Sequence, residues 1–314
     1  DMTNTESGIW RGMENKWGSF HFLSYDVSKR VNIGFFEAIL WQHGDSTMQR
    51  GFDINYLNPL IFYRPVEFSV GSPDNSLLGI SLKVKVARKN FFYGQFLLDD
   101  IIWGEFSRGS LNRIKSWFHK ADSTDRYGYW TNKQAWQLGF TSYDLFKIRN
   151  LDLQLEYNAA RPYTFSHRRT IVNYAHYNEP LAHPAGANFW EVTGIVRYST
   201  GRLHFKLLGL YRVSGMDTNG MHAGQDIFQS NFDTWYPELN NIPVSPYSNS
   251  IGQGIKSQLL YGSLKASWLL NPALNLRAEA ELALRRQSSV LATQTRLLFS
   301  LGVKMSCYNY AGDR

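Results

Sequence analysis

No motif of a common enzyme class occurs in this sequence. The nucleophile elbow Gly-x-Ser-x-Gly, the zinc-protease motif His-Glu-x-x-His and the phosphate loops Gly-x-x-x-x-Gly-Lys and Gly-x-Gly-x-x-Gly are all absent. Loop pairs such as Ser166 with His167, or His222 with Asp226, could support hydrolysis only if the fold brought further groups to them. We therefore expect a protein without catalytic residues that is not an enzyme.

Histidine and acidic residues in the predicted loops are the candidates for metal ligands. His176 and His183 lie close together in one loop, and Asp217, Asn219 and Asp226 lie in the longest loop. The histidine spacing matches no standard zinc site, and the acidic spacing departs from the EF-hand loop. The sequence therefore predicts solvated polar residues here, with no metal and no cofactor.

Charged and amide side chains recur at every second position of several segments, so they share one face of an extended strand. Inside a narrow barrel such opposing charges pair with each other more often than they form an open pore, because unpaired buried charge is costly. A basic tunnel for an acidic sugar is the alternative. The predicted lumen residues are Lys83, Lys85, Gln95, Asp99, Arg197, Lys206, Arg212, Arg277 and Arg285.

The segment 51–75 is too apolar for a solvated loop, and Pro59 and Pro65 exclude a central strand. We predict an irregular segment folded into the lumen as a plug or constriction, fixed by ion pairs to lumen charges. A structural loop without a ligand is the alternative. The polar residues assigned to this plug are Asn58, Arg64, Glu67, Asp74 and Asn75.

Strict alternation of apolar and polar residues is the strongest structural signal. The segment 151–158 reads Leu-Asp-Leu-Gln-Leu-Glu-Tyr-Asn, which indicates a strand with one wet face. The pattern recurs at 202–213 and 273–286, and at roughly 3.3 Å per residue such a strand can cross a bilayer when tilted. This template predicts eleven strands, at 18–28, 31–41, 76–88, 91–103, 133–144, 149–161, 188–199, 202–213, 256–270, 273–286 and 293–306.

The predicted connections alternate between short and long. The long ones are 42–75, 104–132, 162–187 and 214–255. This pattern is typical of a transmembrane antiparallel up-and-down β-barrel with short periplasmic turns and long extracellular loops, here one all-β domain over 1–314. Since bacterial single-chain barrels have even strand numbers, eleven strands predict either missing upstream strands or one more strand within 42–75.

The composition agrees with this class. Aromatic residues make up 15% and charged residues 19% of the chain, which excludes a disordered protein. Trp17, Trp41, Trp103, Trp130, Trp190 and Trp268 lie near predicted strand ends, as in the aromatic girdles of a bilayer interface. The net charge of +7 permits anionic partners, but the positive residues are scattered and no nucleic-acid motif occurs, so no nucleic-acid partner is expected.

Three stretches carry a family resemblance, at 58–68 (Asn-Pro-Leu-Ile-Phe-Tyr-Arg-Pro-Val-Glu-Phe), 71–75 (Gly-Ser-Pro-Asp-Asn) and 93–100 (Tyr-Gly-Gln-Phe-Leu-Leu-Asp-Asp). They resemble outer-membrane proteins of Bacteroidota, in particular the gliding-motility RemB-like proteins and, more distantly, the capsule-assembly Wzi family of barrels. The match covers about fifty residues, 51–100, and the rest of the chain agrees only in its alternation.

The resemblance implies a non-catalytic barrel in the Gram-negative outer membrane, in contact with outer-membrane lipid. Its implied role is to bind or anchor a surface polysaccharide, or a protein partner of a gliding or secretion apparatus in the outer membrane or periplasm. A porin-like solute channel is the alternative function. The resemblance supplies no catalytic residues.

Overall fold

Eleven long antiparallel strands form one sheet, in which each strand pairs with the next along the chain. The computed structural model describes residues 15–44, 51–57, 74–100, 104–107, 109, 111–112, 127–217, 222–231 and 246–305. A short hairpin, β7 (Ala175–His176) and β8 (Glu179–Pro180), lies outside this sheet, in the connection 161–188. The long strands are β1 (Lys16–Ser28), β2 (Val31–Gln42), β3 (Asn75–Ala87), β4 (Asn90–Asp100), β5 (Lys133–Ser142), β6 (Leu151–Ala160), β9 (Phe189–Thr200), β10 (Leu203–Met216), β11 (Ile255–Asn271), β12 (Leu276–Ser289) and β13 (Thr293–Lys304).

All eleven predicted strands are confirmed, and their ends mostly differ by one to three residues from the prediction. The predicted start of β12 at residue 273 is wrong because Asn275 has a φ of 45° and donates its N–H to the Pro272 carbonyl at 3.2 Å. This turn delays extended backbone until Leu276. Among the described residues, no helix is long and apolar enough to cross a membrane.

The sheet described here is open. β1 pairs only with β2 and β13 only with β12, so the two edges do not meet within the described ranges. All twelve residues of β13 are exposed. The antiparallel up-and-down architecture is therefore confirmed, whereas the predicted closure into a barrel is not seen in this part of the chain.

The strand register gives the sheet two chemically different faces. Across β6 to β13, one row of paired residues is wholly apolar and includes exposed Leu207, Leu264, Leu282 and Phe299. On each strand, the residues directly before and after this row point to the opposite face of the sheet. They form rows rich in charged and amide side chains, such as Gln95, Gln137, Asn158, Glu191 and Arg212. We call these the apolar face and the polar face.

Residues 161–187 and 222–231 belong to two of the long connections and fold back onto the polar face, and we call them the inner cap. Phe165, Ala175 and Ile227 of the inner cap pack in one buried cluster with Ala38 and Phe189 of the strands. The long connection 162–187 is thus a folded part of the core rather than a solvated loop.

Polar side chains of the strands fasten the inner cap to the sheet. Lys133 Nζ donates to the Ser166 carbonyl at 3.0 Å, and Asp99 Oδ2 accepts the Phe165 N–H at 2.6 Å. Asn75 Nδ2 donates to the Val172 carbonyl at 2.9 Å. Since all three strand residues are buried, each of these bonds replaces contacts with water that the group lost on folding.

The described part of the predicted plug, residues 51–57, lies on the other side of the sheet. Tyr56 packs in a buried cluster with Ile39 and Trp41. Along β2 these two residues alternate with Ala38, which faces the inner cap, so they lie on the opposite face of the sheet. Trp41 is only 1% exposed, so its assignment to an exposed aromatic girdle is wrong, whereas Trp268 is 57% exposed on the apolar face. Asn58, Arg64 and Glu67 lie outside the described residues, and a lumen plug stays a prediction.

Candidate functional site

A pocket of about 370 Å³ opens between the inner cap and the ends of β10 and β12. This volume lies within the range of pockets that hold small ligands. Its strand residues, Arg212, Ser214, Met216 and Gln287, lie on the polar face. The lining consists of Pro184, Ala185, Arg212, Ser214, Met216, Asp217, Gln225, Asp226, Gln229 and Gln287.

A buried carboxylate fixes the cation of this pocket. Glu191 is 3% exposed, and its Oε2 accepts the Arg212 Nε–H at 2.8 Å and lies 2.7 Å from Arg212 Nη2. Its other oxygen, Oε1, lies 3.1 Å from His183 Nε2 and accepts an N–H from Asn158 at 3.3 Å. Arg212 is therefore held in place and neutralised from behind, and its Nη1 has no partner among the described residues.

Asp217 organises the loop that forms one wall of the pocket. Its Oδ1 accepts the Ala223 N–H at 2.7 Å, and its Oδ2 lies 3.2 Å from His222 Nδ1 and 3.3 Å from the Asp226 N. Burial acts to raise the pKa of Asp217, but these donors outweigh it and hold the pKa below its ordinary value. Asp217 is thus an anion at neutral pH.

Asp226 and two glutamines offer polar groups on the same wall. Asp226 Oδ1 accepts the Phe228 N–H at 2.9 Å, and its Oδ2 accepts an N–H from Gln229 Nε2 at 3.3 Å. Gln225 Nε2 donates to the Ala185 carbonyl at 3.3 Å. Each carboxylate oxygen has a second lone pair, and each glutamine oxygen is an acceptor, so hydroxyl groups can donate to this wall.

Asn188 ties the walls of the pocket together. Its buried Nδ2 lies 3.0, 3.2 and 2.9 Å from the carbonyls of Gly215, Ala223 and Gln253. Its Oδ1 accepts the Gly252 N–H at 2.7 Å. With a φ of 56°, Asn188 turns the chain from the inner cap into β9, and asparagine tolerates this conformation better than most residues.

The nine predicted lumen residues all lie on the polar face, but the fold distributes them. Arg212 lines the pocket, and Arg285 supports it by donating to Gln287 Oε1 at 2.6 Å. Asp99 anchors the inner cap. Of the predicted plug residues, Asp74 accepts a hydrogen bond from the Tyr56 hydroxyl, and Asn75 donates one to the Val172 carbonyl. The others, Lys83, Lys85, Gln95, Arg197, Lys206 and Arg277, lie away from the pocket on the polar face; their predicted function is untested.

Of these residues, Arg197 belongs to a second polar region on the same face. Tyr93 donates to Glu156, and Gln154 Nε2 donates to the same carboxylate at 2.8 Å. Arg197 Nη1 and Nη2 both donate to Gln154 Oε1 at 3.2 Å. Gln154 thus bridges the Glu156 carboxylate and the Arg197 guanidinium in this region.

The loop candidates for catalysis and metal binding are engaged otherwise. Ser166 Oγ donates to the Tyr163 carbonyl at 2.5 Å, and His167 Nδ1 accepts the Arg169 N–H at 3.1 Å, so no Ser–His pair forms. His222 contacts Asp217 rather than Asp226. Within the described ranges, no group of three histidine, cysteine or acidic residues could hold a metal ion.

Sequence reasoning missed the pocket because most of its polar groups lie in loops. Gln225, Asp226 and Gln229 follow no strand period, and periodicity was the only signal that assigned a face to a residue. The clue in the sequence was the abundance of asparagine, glutamine and aspartate between 217 and 231, which suits side-chain bonding to the backbone of irregular segments.

Comparison with known proteins gives a structural likeness. No family model matches the chain, and no curated protein matches it. The fold is similar to a solved structure described as Wzi, an outer membrane protein involved in group 1 capsule assembly in Escherichia coli and a carbohydrate-binding β-barrel, with a TM-score of 0.47 and 13% identity. The likeness covers 90% of this chain and 50% of that one, so this chain spans about half the length of that structure.

Proposed function

We propose that this chain forms part of the wall of an outer-membrane β-barrel and binds a surface polysaccharide in the pocket under the inner cap. The apolar face supports the membrane location. Its exposed leucine, valine and phenylalanine rows would meet water in a soluble protein, whereas they suit the hydrocarbon of a bilayer. The polar face would then line the lumen, with the pocket near its outer end.

The observation that carries the binding role is the set of fixed polar groups around the pocket. Sugar hydroxyls are both donors and acceptors, and the pocket offers carboxylate and amide oxygens together with the guanidinium of Arg212. Because Asn188, Asp217 and Glu191 hold these groups in position, little ordering would be needed on binding.

The local charge favours neutral sugar units over acidic ones. The lining contains one cation, Arg212, and two anions, Asp217 and Asp226. Since Glu191 already neutralises Arg212, a uronic-acid carboxylate would meet an excess of negative charge. This departs from the basic tunnel for an acidic sugar, the alternative interpretation of the predicted lumen residues.

Isothermal titration of the full chain in detergent tests this proposal, with a neutral oligosaccharide and a matched oligosaccharide that contains uronic acid. We expect the neutral ligand to bind more tightly, and Asp226→Asn to weaken it about tenfold, since a hydrogen bond to a charged group contributes about 1.5 kcal/mol or more. The same variant should improve binding of the acidic ligand.

Gln258→Ala is the matched control, because Gln258 is an exposed amide that lies on the apolar face beside the end of β10. The Gln258→Ala variant should bind each oligosaccharide with the same affinity as the unmodified chain. Absence of binding of both ligands, or equal effects of Asp226→Asn and Gln258→Ala, would refute a glycan site in this pocket.

A further inference from the structure

Four adjacent short turns at the opposite end of the sheet carry a dense set of exposed cations. They comprise 27–30, 86–89, 143–150 and 200–203, and we call them the turn rim. The turn rim has one acidic residue, Asp144. Its seven basic residues, all exposed, are Lys29, Arg30, Arg88, Lys89, Lys147, Arg149 and Arg202.

Backbone hydrogen bonds show that these turns lie side by side. The Arg30 carbonyl accepts the Lys85 N–H at 2.7 Å, at the base of the second turn, and the Lys89 carbonyl accepts the Tyr143 N–H at 2.9 Å. The Asn150 carbonyl then accepts the Ser199 N–H at 3.2 Å. The cations therefore form one continuous band along the edge of the sheet rather than scattered surface charges.

Exposed apolar side chains alternate with the cations in the turn rim. Val27, Val86, Tyr143 and Ile148 are between 46% and 54% exposed, and Phe146 is 82% exposed. Aromatic and basic side chains combine in this way at a membrane interface, where the ring enters the headgroup layer and the cation reaches the phosphates.

The third turn is built to present its side chains outward. Phe146 and Lys147 have φ values of 56° and 65°, a conformation that is unfavourable for both residue types. Asp144 stabilises this turn by accepting the Asn150 N–H at 2.7 Å and by pairing with Lys89. Strain that the surroundings maintain in this way is characteristic of functional segments.

We propose that the turn rim binds the phosphate groups of anionic phospholipids in the membrane leaflet at that end of the strands. This inference rests on the membrane location in the proposed function, but it is independent of the glycan pocket. The band of cations contacts the headgroups, and Phe146 inserts at the boundary with the acyl chains. The turn rim thereby fixes the depth of the sheet in the bilayer.

The test compares folding of the full chain into phosphatidylcholine vesicles and into vesicles with three parts in ten phosphatidylglycerol, by urea titration. The rim variant carries Arg30→Gln, Arg88→Gln and Arg149→Gln. The control variant carries Arg168→Gln, Lys256→Gln and Arg296→Gln, which are exposed cations in the inner cap and towards the other end of the strands. Both variants lose three positive charges.

We expect phosphatidylglycerol to shift the folding equilibrium of the unmodified chain and of the control variant similarly. In the rim variant, the increase in the folding equilibrium constant that phosphatidylglycerol causes should be about 100-fold smaller. The reason is that each basic residue near an anionic surface contributes about 1 kcal/mol. If 10 mM inorganic phosphate at constant ionic strength removed the preference for vesicles that contain phosphatidylglycerol, the turn rim would be a site for free phosphate and the lipid proposal would be overturned.

Two further outcomes separate this inference from the proposed function. Failure of the unmodified chain to fold into either vesicle would refute the membrane location, and the turn rim proposal with it. Folding that is equally efficient in both vesicles, or equal losses in the rim and control variants, would refute the turn rim alone.

Discussion

Replacing Asn188 by alanine should open the pocket selectively. Asn188→Ala removes a side chain that binds the backbone of Gly215, Ala223, Gly252 and Gln253. These four positions belong to the end of β10, the inner cap and the loop before β11. The substitution removes this partner from three carbonyls and one N–H, of which the Ala223 carbonyl keeps a second donor, Gln253 Nε2.

The size of the effect follows from the bonds lost. The amide has two N–H groups for three carbonyls, so two full donor bonds and one acceptor bond disappear. At about 1 kcal/mol for each net bond, the loss is about 3 kcal/mol. Alanine at a φ of 56° adds about 1 kcal/mol. The total, about 4 kcal/mol, is a large fraction of the stability of a local folding unit.

Asn150→Ala is the matched control. Asn150 also has a positive φ, 59°, but it is exposed and its Nδ2 makes one bond, to the Ser199 carbonyl at 3.3 Å. It therefore carries the same backbone penalty without the buried bonds, and its cost should be near 1 to 2 kcal/mol.

Amide hydrogen exchange of the full chain in detergent measures both costs locally. In Asn188→Ala, exchange in 222–231 and 250–254 should rise by about 100-fold relative to Asn150→Ala, and sugar affinity should fall with it. If both variants changed exchange in these segments equally, Asn188 would not connect the pocket walls, and our explanation of the preformed site would be wrong.

Two other predictions concern the faces of the sheet and the inner cap. Leu297 lies on the apolar face and its neighbour Leu298 on the polar face. In vesicles, Leu297→Arg should reduce the free energy of unfolding by about 2–4 kcal/mol, and Leu298→Arg should reduce it by much less. Equal losses in the two variants would contradict contact between the apolar face and lipid. Burial, followed by the charge of Lys133, lowers the pKa of His167 from 6.5 to about 3. As the pH falls, His167 is therefore protonated in the unfolded chain before it is protonated in the folded one. The stability of the inner cap should consequently fall from pH 6.5 toward pH 3, by at most about 1.4 kcal/mol per pH unit. Hydrogen exchange at 165–175 should show this fall, and His167→Gln should flatten it.

The sheet could be predicted from the sequence because its two faces meet different environments. In segments such as 151–158, each residue type reports the face directly, so strand positions and the order of long and short connections follow from the pattern. The turn before β12 was misplaced because alternation continues through Asn275, whose backbone nevertheless leaves the extended region.

The inner cap and the pocket could not be predicted in this way. Connection 162–187 is rich in polar residues and was read as an outer loop, yet Thr164, Ser166 and Asn173 are buried because they bind backbone groups and strand side chains. Such bonds join residues far apart in the sequence, and no local period records them. Residues 51–57, which are apolar, pack instead against Ile39 and Trp41.

The net charge of +7 is distributed unevenly between the two ends of the sheet. The turn rim holds seven basic residues and one acidic residue, whereas the pocket at the other end holds one basic and two acidic residues. A soluble polyanion would therefore be drawn to the end of the sheet away from the pocket, and screening by salt over roughly 8–10 Å would keep the two ends independent. Binding of acidic polysaccharide to this chain should consequently be salt-sensitive and lost in the rim variant, while binding of a neutral glycan should be insensitive to both.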